Sequence, residues 1–346
     1  MWELRSARGR DSPRPWGVRV NLAPSDHSVD GPSERLAGPG FVAAARRAVL
    51  ATRPAFYTAS ALPVLVGTVW AAVHAHRFDG LLFGLALAAT VLAHAASNVW
   101  NDVGDDFNGT DANNTGRMYP YTGGSRFIQT GLMSRHAMVQ LAAGLALAAL
   151  GIGIALVVLR GTGILWLGAT GLGLGLLYSL PGAQLCASGL GEAAVGIGLG
   201  ALPVLGAAWL QTGEVDLGAV LLAIQVSCWV TAILVINEVP DMAADAAAGK
   251  RTLVVRFGPS GARALYGVLT AVALVAALAA ISVRALPYGY AVIAALLCFL
   301  ACRASFGISS LPGGRARLRQ SIEITLAIHA GGCVALMGAL AATRLV

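Results

Sequence analysis

Charge is scarce in this 346-residue chain: 12% of its residues are charged and 56% are hydrophobic. Soluble domains carry about 25% charged residues, so the shortage excludes a globule clothed in water. Lysine is nearly absent, Lys250 being the only one. The five cysteines, Cys186, Cys228, Cys298, Cys302 and Cys333, show neither zinc-type spacing nor the framework of a secreted disulfide domain. Four of them sit in apolar stretches and read as small buried hydrophobes. The first forty or so residues contain no long apolar run, which excludes a signal peptide there. Their Arg, Pro, Gly, Ser and Asp cannot bury a core. Residues 1–42 are therefore expected to form a disordered, basic, Pro/Gly-rich tail, and 43–346 a single membrane domain.

What the chain has instead is apolar length. Stretches near 20 residues, enough to cross a bilayer as helices, fall at about 55–73, 81–101, 137–159, 162–180, 191–210, 217–238, 264–282, 287–303 and 321–343. Mean hydropathy is +0.70. Abundant Gly and Ala suit close helix packing in lipid. The expected fold is all-α, a polytopic bundle of about nine transmembrane helices.

The net charge of +7 is almost all arginine. In a membrane chain it reads as the positive-inside bias, not as a nucleic-acid footprint. With the tail cytoplasmic, the loops on its side hold Arg117, Arg126, Arg135, Lys250, Arg251, Arg256, Arg263, Arg303, Arg315, Arg317 and Arg319. The opposite loops hold Arg77, Arg160 and Arg284. This places the loops after the second and sixth helices on one side, and the expected location is the cytoplasmic (inner) membrane.

Those two loops carry most of the carboxylates of the membrane domain. The first offers Asn98, Asn101, Asp102, Asp105, Asp106, Asn108 and Asp111; the second offers Asn237, Glu238, Asp241 and Asp245, then Lys250 and Arg251. Residues four apart share a helix face, so Asn237, Asp241 and Asp245 form one stripe. In the first cluster two registers compete: Asn98, Asp102 and Asp106, or Asn101 and Asp105 with Asp111 beyond. Clustered carboxylates at a bilayer repel one another and resist desolvation. Magnesium resolves that conflict by joining one or two carboxylates to a substrate phosphate. Two clusters facing one cavity thus point to a diphosphate held through Mg2+, with Arg117, Arg126, Lys250 and Arg251 available to phosphate oxygens.

These residues resemble the UbiA superfamily of membrane prenyltransferases. Asn101, Asp102 and Asp105, running into Asn108, Gly109, Thr110 and Asp111, are similar to its first aspartate motif; the Gly-Thr-Asp ending is closest to the menaquinone-type 1,4-dihydroxy-2-naphthoate branch. Asn237, Glu238, Pro240, Asp241, Asp245, Gly249, Lys250, Arg251, Thr252 and Arg256 resemble the second. Arg53 and Pro54 with Pro63 and Gly67, Thr122 to Arg126, and Tyr178, Ser179 and Pro181 before Gly189 to Glu192 follow in the same order. Two departures stand out. The loop Gly182 to Ser188 has no cation where that branch carries Arg or Lys, and the second motif opens Asn-Glu-Val-Pro-Asp.

The resemblance implies transfer of a polyprenyl group from its diphosphate to an aromatic acceptor, with the site beneath the acidic loops. It implies Asp102, Asp105, Asp111, Asp241 and Asp245 as the magnesium set. It assigns catalytic work to Asp105, Asp241 and Lys250, and substrate contacts to Asn98, Asn101, Arg117, Arg126, Tyr178, Asn237, Lys250 and Arg251. Dihydroxynaphthoate is the expected acceptor, and 4-hydroxybenzoate or another lipid precursor the alternative. Two other classes fit less well. CDP-alcohol phosphotransferases carry a continuous Asp-Gly-x-x-Ala-Arg run that is missing here. A cation-coupled transporter would place its acidic groups near the bilayer midplane, not at helix ends.

Overall fold

Helices form where apolar runs meet capping side chains. A computed structural model describes residue 36, residues 38–308 and residues 314–343. The tail expected over 1–42 lies for the most part outside the described residues, though Phe41 and Val42 already belong to helix α1 (Phe41–Ala51). After a 3-10 turn at Pro54–Phe56 come α2 (Thr58–His74), α3 (Gly80–Asn108), the short α4 (Thr110–Asn113), α5 (Arg135–Arg160), α6 (Gly163–Ser179), α7 (Leu185–Ser188) and α8 (Gly191–Val195). A π-helical turn at Gly196–Ala201 leads into α9 (Leu202–Thr212). The chain ends with α10 (Leu217–Ala247), α11 (Leu253–Ser282), α12 (Tyr290–Ser305) and α13 (Arg315–Ala342). No strand occurs among the described residues.

Side-chain caps set where the site-bearing helices begin. Asp79 accepts from the backbone of Leu81 and Leu82 at the start of α3, Ser134 from Ala137 at α5, Asp216 from Ala219 at α10 and Thr252 from Val255 at α11. Each satisfies N–H groups that a helix start leaves unpaired.

Seven stretches are long and apolar enough to cross a membrane: Pro54–His74, Gly80–Asn108, Arg135–Arg160, Gly191–Thr212, Leu217–Ala247, Leu253–Ser282 and Arg315–Ala342. Two shorter apolar helices, Gly163–Ser179 and Tyr290–Ser305, stand where the remaining spans were expected. The protein is thus a multi-pass membrane protein with an all-helical bundle. Its outside is apolar, as lipid requires: Leu147, Val158, Trp166, Val275 and Val292 are all largely exposed.

Three helices differ from their expected limits. α3 continues past residue 101 to Asn108, α10 past 238 to Ala247, and α11 starts eleven residues early, broken at Gly258 and Pro259. Hydropathy falls where the carboxylates begin, but the backbone ladder does not stop there. The aspartates therefore project from helical turns that extend the spans.

α10 is the axis of the bundle, with Leu222, Val226, Val235 and Ile236 fully buried. It packs against α11, α13, α2 and the π turn. Close approach rests on glycine. A Cβ on Gly67 of α2 would stand 2.1 Å from the Val204 carbonyl of α9, and one on Gly200 would stand 2.5 Å from Ser227 Cα of α10. Both neighbours are backbone and cannot swing away. Gly67→Ala should therefore cost about 1–3 kcal/mol through overpacking. A thermal-unfolding curve in detergent checks this, and an unchanged midpoint would contradict the contact.

Candidate functional site

The ends of α3 and α10 meet over one cavity of about 560 Å³. Its polar end is lined by Arg53, Asn98, Asn101, Asp105, Asp111, Asn114, Tyr178, Asn237, Asp241, Asp245 and Lys250. The two acidic segments expected on one side therefore converge. Asn114 Nδ2 donates to Asp241 Oδ1 at 2.7 Å, and Thr122 Oγ1 to the same oxygen at 2.9 Å, joining the loop after α3 directly to α10.

The competing registers of the first cluster resolve. Asn101, Asp105 and Asp111 line the cavity, with Asn98 beside them. Asp102 and Asp106 do not line it. Asp102 pairs with Arg53 through one carboxylate oxygen, and its other accepts from Ser125 N and Oγ. Asp106 pairs with Arg135 and accepts from Gln129. Asp102, expected among the metal ligands, thus has both oxygens engaged in fastening the loop.

Lys250 holds the centre. Its Nζ lies 2.6 Å from Asp105 Oδ1 and 3.2 Å from Asp245 Oδ1, and its side chain is buried. Burial alone would discharge the ammonium, but Asp105 and Asp245 outweigh it and raise its pKa above the ordinary lysine value. Asn101 Nδ2 reaches Ser179 Oγ at 3.2 Å, and Asn98 Nδ2 the Thr52 carbonyl at 3.0 Å. Tyr178 and Asn237 line the wall, whereas Arg117, Arg126 and Arg251 are not among the lining side chains. Arg126 donates instead to the Asp111 carbonyl at 2.6 Å, the Arg117 guanidinium lies over the Tyr119 ring, and Arg251 is exposed. Sequence reasoning did not single out Asn114, and it named Thr122 only within a family-like segment, not as a partner of Asp241. Their link to Asp241 spans more than a hundred residues and leaves no local pattern.

The donor set fits a divalent cation. Asp105, Asp111, Asp241 and Asp245 face the cavity with Lys250, so carboxylates outnumber the central cation. Asp111 Oδ2 and Asn237 Oδ1 are buried oxygens without any hydrogen-bond donor, the state that a cation or its water shell relieves. Gly124 has φ 69°, and a Cβ there would stand 2.6 Å from Asp111 Oδ2, so the loop backbone passes tightly over that oxygen. Among the described residues, no three His, Cys, Asp or Glu side chains form a closed metal cage. An open arrangement of spaced carboxylates suits magnesium, which keeps waters and shares substrate phosphates.

Below the polar end the walls turn apolar. The lining runs along α3 from Asp105 to Ala86, roughly 28 Å at the helical rise of 1.5 Å per residue. Leu156, Ile164, Ala207 and Leu210 close the far end. Leu150, Ile154 and Val158 of α5 and Leu165 of α6 both line the cavity and are exposed outside. The cavity therefore opens sideways between these helices, onto the lipid-facing surface.

The sequence model of the UbiA prenyltransferase family matches residues 60–319. No curated protein matches by sequence. Among solved structures, a UbiA homologue from Aeropyrum pernix K1 without ligand is 23% identical with TM-score 0.62, covering 84% of this chain and 98% of its own. A UbiA homologue from Archaeoglobus fulgidus bound to GPP and Mg2+ is 17% identical with TM-score 0.60, covering 84% and 99%. A digeranylgeranylglyceryl phosphate synthase is 14% identical with TM-score 0.61, covering 86% and 98%. These likenesses establish the bundle as the fold.

Burial pushes the Asp111 carboxyl up to about 8; Asp105 and Asp102 add to the rise, and Arg53 and Lys250 oppose it. In the unfolded chain the group ionises near 4. The folded state thus keeps a proton that the unfolded state has lost across this window. Without divalent cation, stability should fall as pH rises from about 4 to about 8, by at most roughly 1.4 kcal/mol per unit for one proton. Magnesium, by replacing that proton, should flatten the slope. Thermal unfolding in EDTA and in Mg2+ across that range tests this, and coincident pH profiles would refute it.

Proposed function

The chain belongs to the UbiA prenyltransferase family, and from that premise we propose that it transfers a polyprenyl group from polyprenyl diphosphate to an electron-rich aromatic acceptor. 1,4-Dihydroxy-2-naphthoate is the first candidate acceptor, in menaquinone formation. Support for that choice is the Gly109, Thr110 and Asp111 ending of the first motif and the Gly249, Lys250 and Arg251 run of the second. A hydroxybenzoate or another lipid precursor is the alternative. The observation that carries the reading is the meeting of both acidic segments around Lys250 at the mouth of a long apolar cavity.

The side chains divide the work. Asp105, Asp111, Asp241 and Asp245 would hold Mg2+; the solved A. fulgidus homologue is bound to GPP and Mg2+, which supports this reading. Bound there, magnesium supplies charge neutralisation for a diphosphate leaving group. Lys250 adds a fixed positive charge where that leaving group gathers electrons. Asn101 and Asn237 offer amide contacts to its oxygens. Loop Asn114 to Ser125, tied down by Asp241 and Asp102, covers the reacting end and limits water. Water exclusion matters because an allylic cation would otherwise be hydrolysed. Tyr178, on the wall at this level, presents an aromatic face that can favour such a cation. The prenyl tail lies in the apolar shaft and enters through the opening between α5 and α6. We place the acidic loops on the cytoplasmic side of the inner membrane, as the arginine distribution supports.

Asp105→Asn and Lys250→Met should each lower prenyl transfer by roughly 10²–10³-fold, measured with labelled polyprenyl diphosphate in membranes. Wild-type turnover in both variants would end this mechanism. The shaft should also limit chain length. Ala86→Phe, placed near its closed end, should shift the preferred donor toward shorter prenyl diphosphates, read by mass spectrometry of the products. An unchanged length profile would show that the tail does not reach Ala86.

A further inference from the structure

We propose that His94 of α3 recognises the acceptor, its Nε2 accepting a hydrogen bond from a ring hydroxyl. This rests on the prenyl-transfer reading and extends it to the second substrate. His94 lines the cavity, the only histidine to do so, and is 4% exposed. Its Nδ1 lies 2.9 Å from Ser60 Oγ of α2, and the same hydroxyl donates to the Tyr57 carbonyl at 3.2 Å. A serine hydroxyl has one proton to give. With that proton on the Tyr57 carbonyl, Ser60 Oγ is left to accept, so Nδ1 carries the ring hydrogen. Among the described residues no carboxylate pairs with the ring, and an imidazolium there would be an unpaired charge away from water. The ring is therefore neutral, and Nε2 presents a lone pair.

Nε2 has no partner among the described residues and is not sealed over by protein, so it faces the cavity that His94 lines. Its polar neighbours on α3 are spent: Ser97 Oγ donates to the Ala93 carbonyl and Asn98 Nδ2 to the Thr52 carbonyl, each at 3.0 Å. A prenyl tail is hydrocarbon and offers a lone pair no donor, whereas an O–H on the second substrate does.

The position suits that substrate. His94, Asn98, Asn101 and Asp105 share one face of α3, and His94 lies roughly 16 Å down the helix from Asp105. A diphosphate gripped at Asn101 and Asp105, its first prenyl carbon and an aromatic acceptor fill that interval. Phe56 and Ala59, next in sequence to Tyr57 and Ser60, also line the cavity, and the Tyr57 ring stands 6.0 Å from the His94 ring. These side chains give a flat ring apolar contact on the wall made by the start of α2 and by α3, away from the α5 and α6 opening that serves the tail. The hydrogen bond to Nε2 orients the ring and draws on its O–H bond, which enriches the ortho and para carbons that attack the prenyl carbon. An acceptor lacking that hydroxyl leaves Nε2 unpaired, and the site rejects it.

The test is direct binding to the purified full chain in detergent, followed by kinetics. The probes are 1,4-dihydroxy-2-naphthoate and the two rings that each lack one of its hydroxyls, with 4-hydroxybenzoate and benzoate as a second set. On the unaltered chain, loss of the recognised hydroxyl should weaken binding by about tenfold or more, the scale of a buried acceptor left unpaired. His94→Asn keeps an N–H for Ser60 and removes the Nε2 lone pair. It should bind the rings of a set within about threefold of one another. It should also raise the acceptor KM about tenfold and leave the prenyl diphosphate KM within about threefold. His94→Gln, which sets an amide oxygen near the place of Nε2, should recover part of the discrimination. Equal binding of all rings by the unaltered chain overturns the proposal, as does no binding of either hydroxylated ring. Discrimination that survives in His94→Asn overturns it too, and so does an equal shift of both KM values, the mark of a residue that touches only the tail or the packing. If His94→Asn does not fold, Ser60→Ala decides: it frees the Nδ1 hydrogen, and undiminished discrimination there overturns the proposal. Absence of diphosphate release with every acceptor would count against the prenyl-transfer reading alone, because the binding titrations stand without turnover.

Discussion

One buried ammonium holds the architecture together. Lys250 sits between Asp105 and Asp245, so it ties the last turns of α3 and α10 across the mouth of the cavity. Removing either partner of such a buried pair is costly, since it leaves the other charge uncompensated. The three groups are still not neutral, carrying two carboxylates to one ammonium. Asp111 and Asp241 face the same space. The mouth is therefore fixed in shape yet remains short of positive charge, which is the condition of a site that waits for a cation and an anionic substrate together.

The aspartates outside that triad do a second job. Asp241 gathers Asn114, Thr122 and Gly123, while Asp102 gathers Arg53 and Ser125. The cover over the site is thus fastened by the same carboxylate-rich turns that bound the chemistry. A loop that carries so many polar groups and yet lies over a membrane cavity needs such partners, because unpaired backbone and side-chain groups are expensive away from water. Both motifs are dense in carboxylates because framework and chemistry draw on the same residue type.

Much of this was legible in the sequence. Apolar length placed the helices, because the bilayer sets one dimension and hydropathy reports it. The convergence of the two acidic segments followed from counting crossings and arginines. Less legible was which aspartates face inward. Asn98, Asp102 and Asp106 form as good a stripe as Asn101 and Asp105, and only the packing of α3 against α5 and the Arg53 and Arg135 side chains turns Asp102 and Asp106 away. The helix ends were also misjudged, since polarity was taken as the end of the span whereas α3 and α10 carry their ladders through the carboxylates.

The cavity also explains why such a reaction belongs in a membrane protein. Its polar end can grip a diphosphate, but a long prenyl tail in water would have to be stripped of solvent before entering any pocket. Here the exposed residues Leu150, Ile154, Val158 and Leu165 form part of the lining itself, so lipid and cavity share one apolar wall. A tail sliding from the bilayer between α5 and α6 exchanges one hydrocarbon surrounding for another, and little hydrophobic free energy changes on entry. Binding selectivity is then left to the headgroup, where charge and hydrogen bonding are strong and directional. That division follows from the solvent. In lipid the apolar part of a substrate offers scant driving force, so recognition must concentrate at the helix ends, and the charged side chains of this otherwise charge-poor chain are concentrated there.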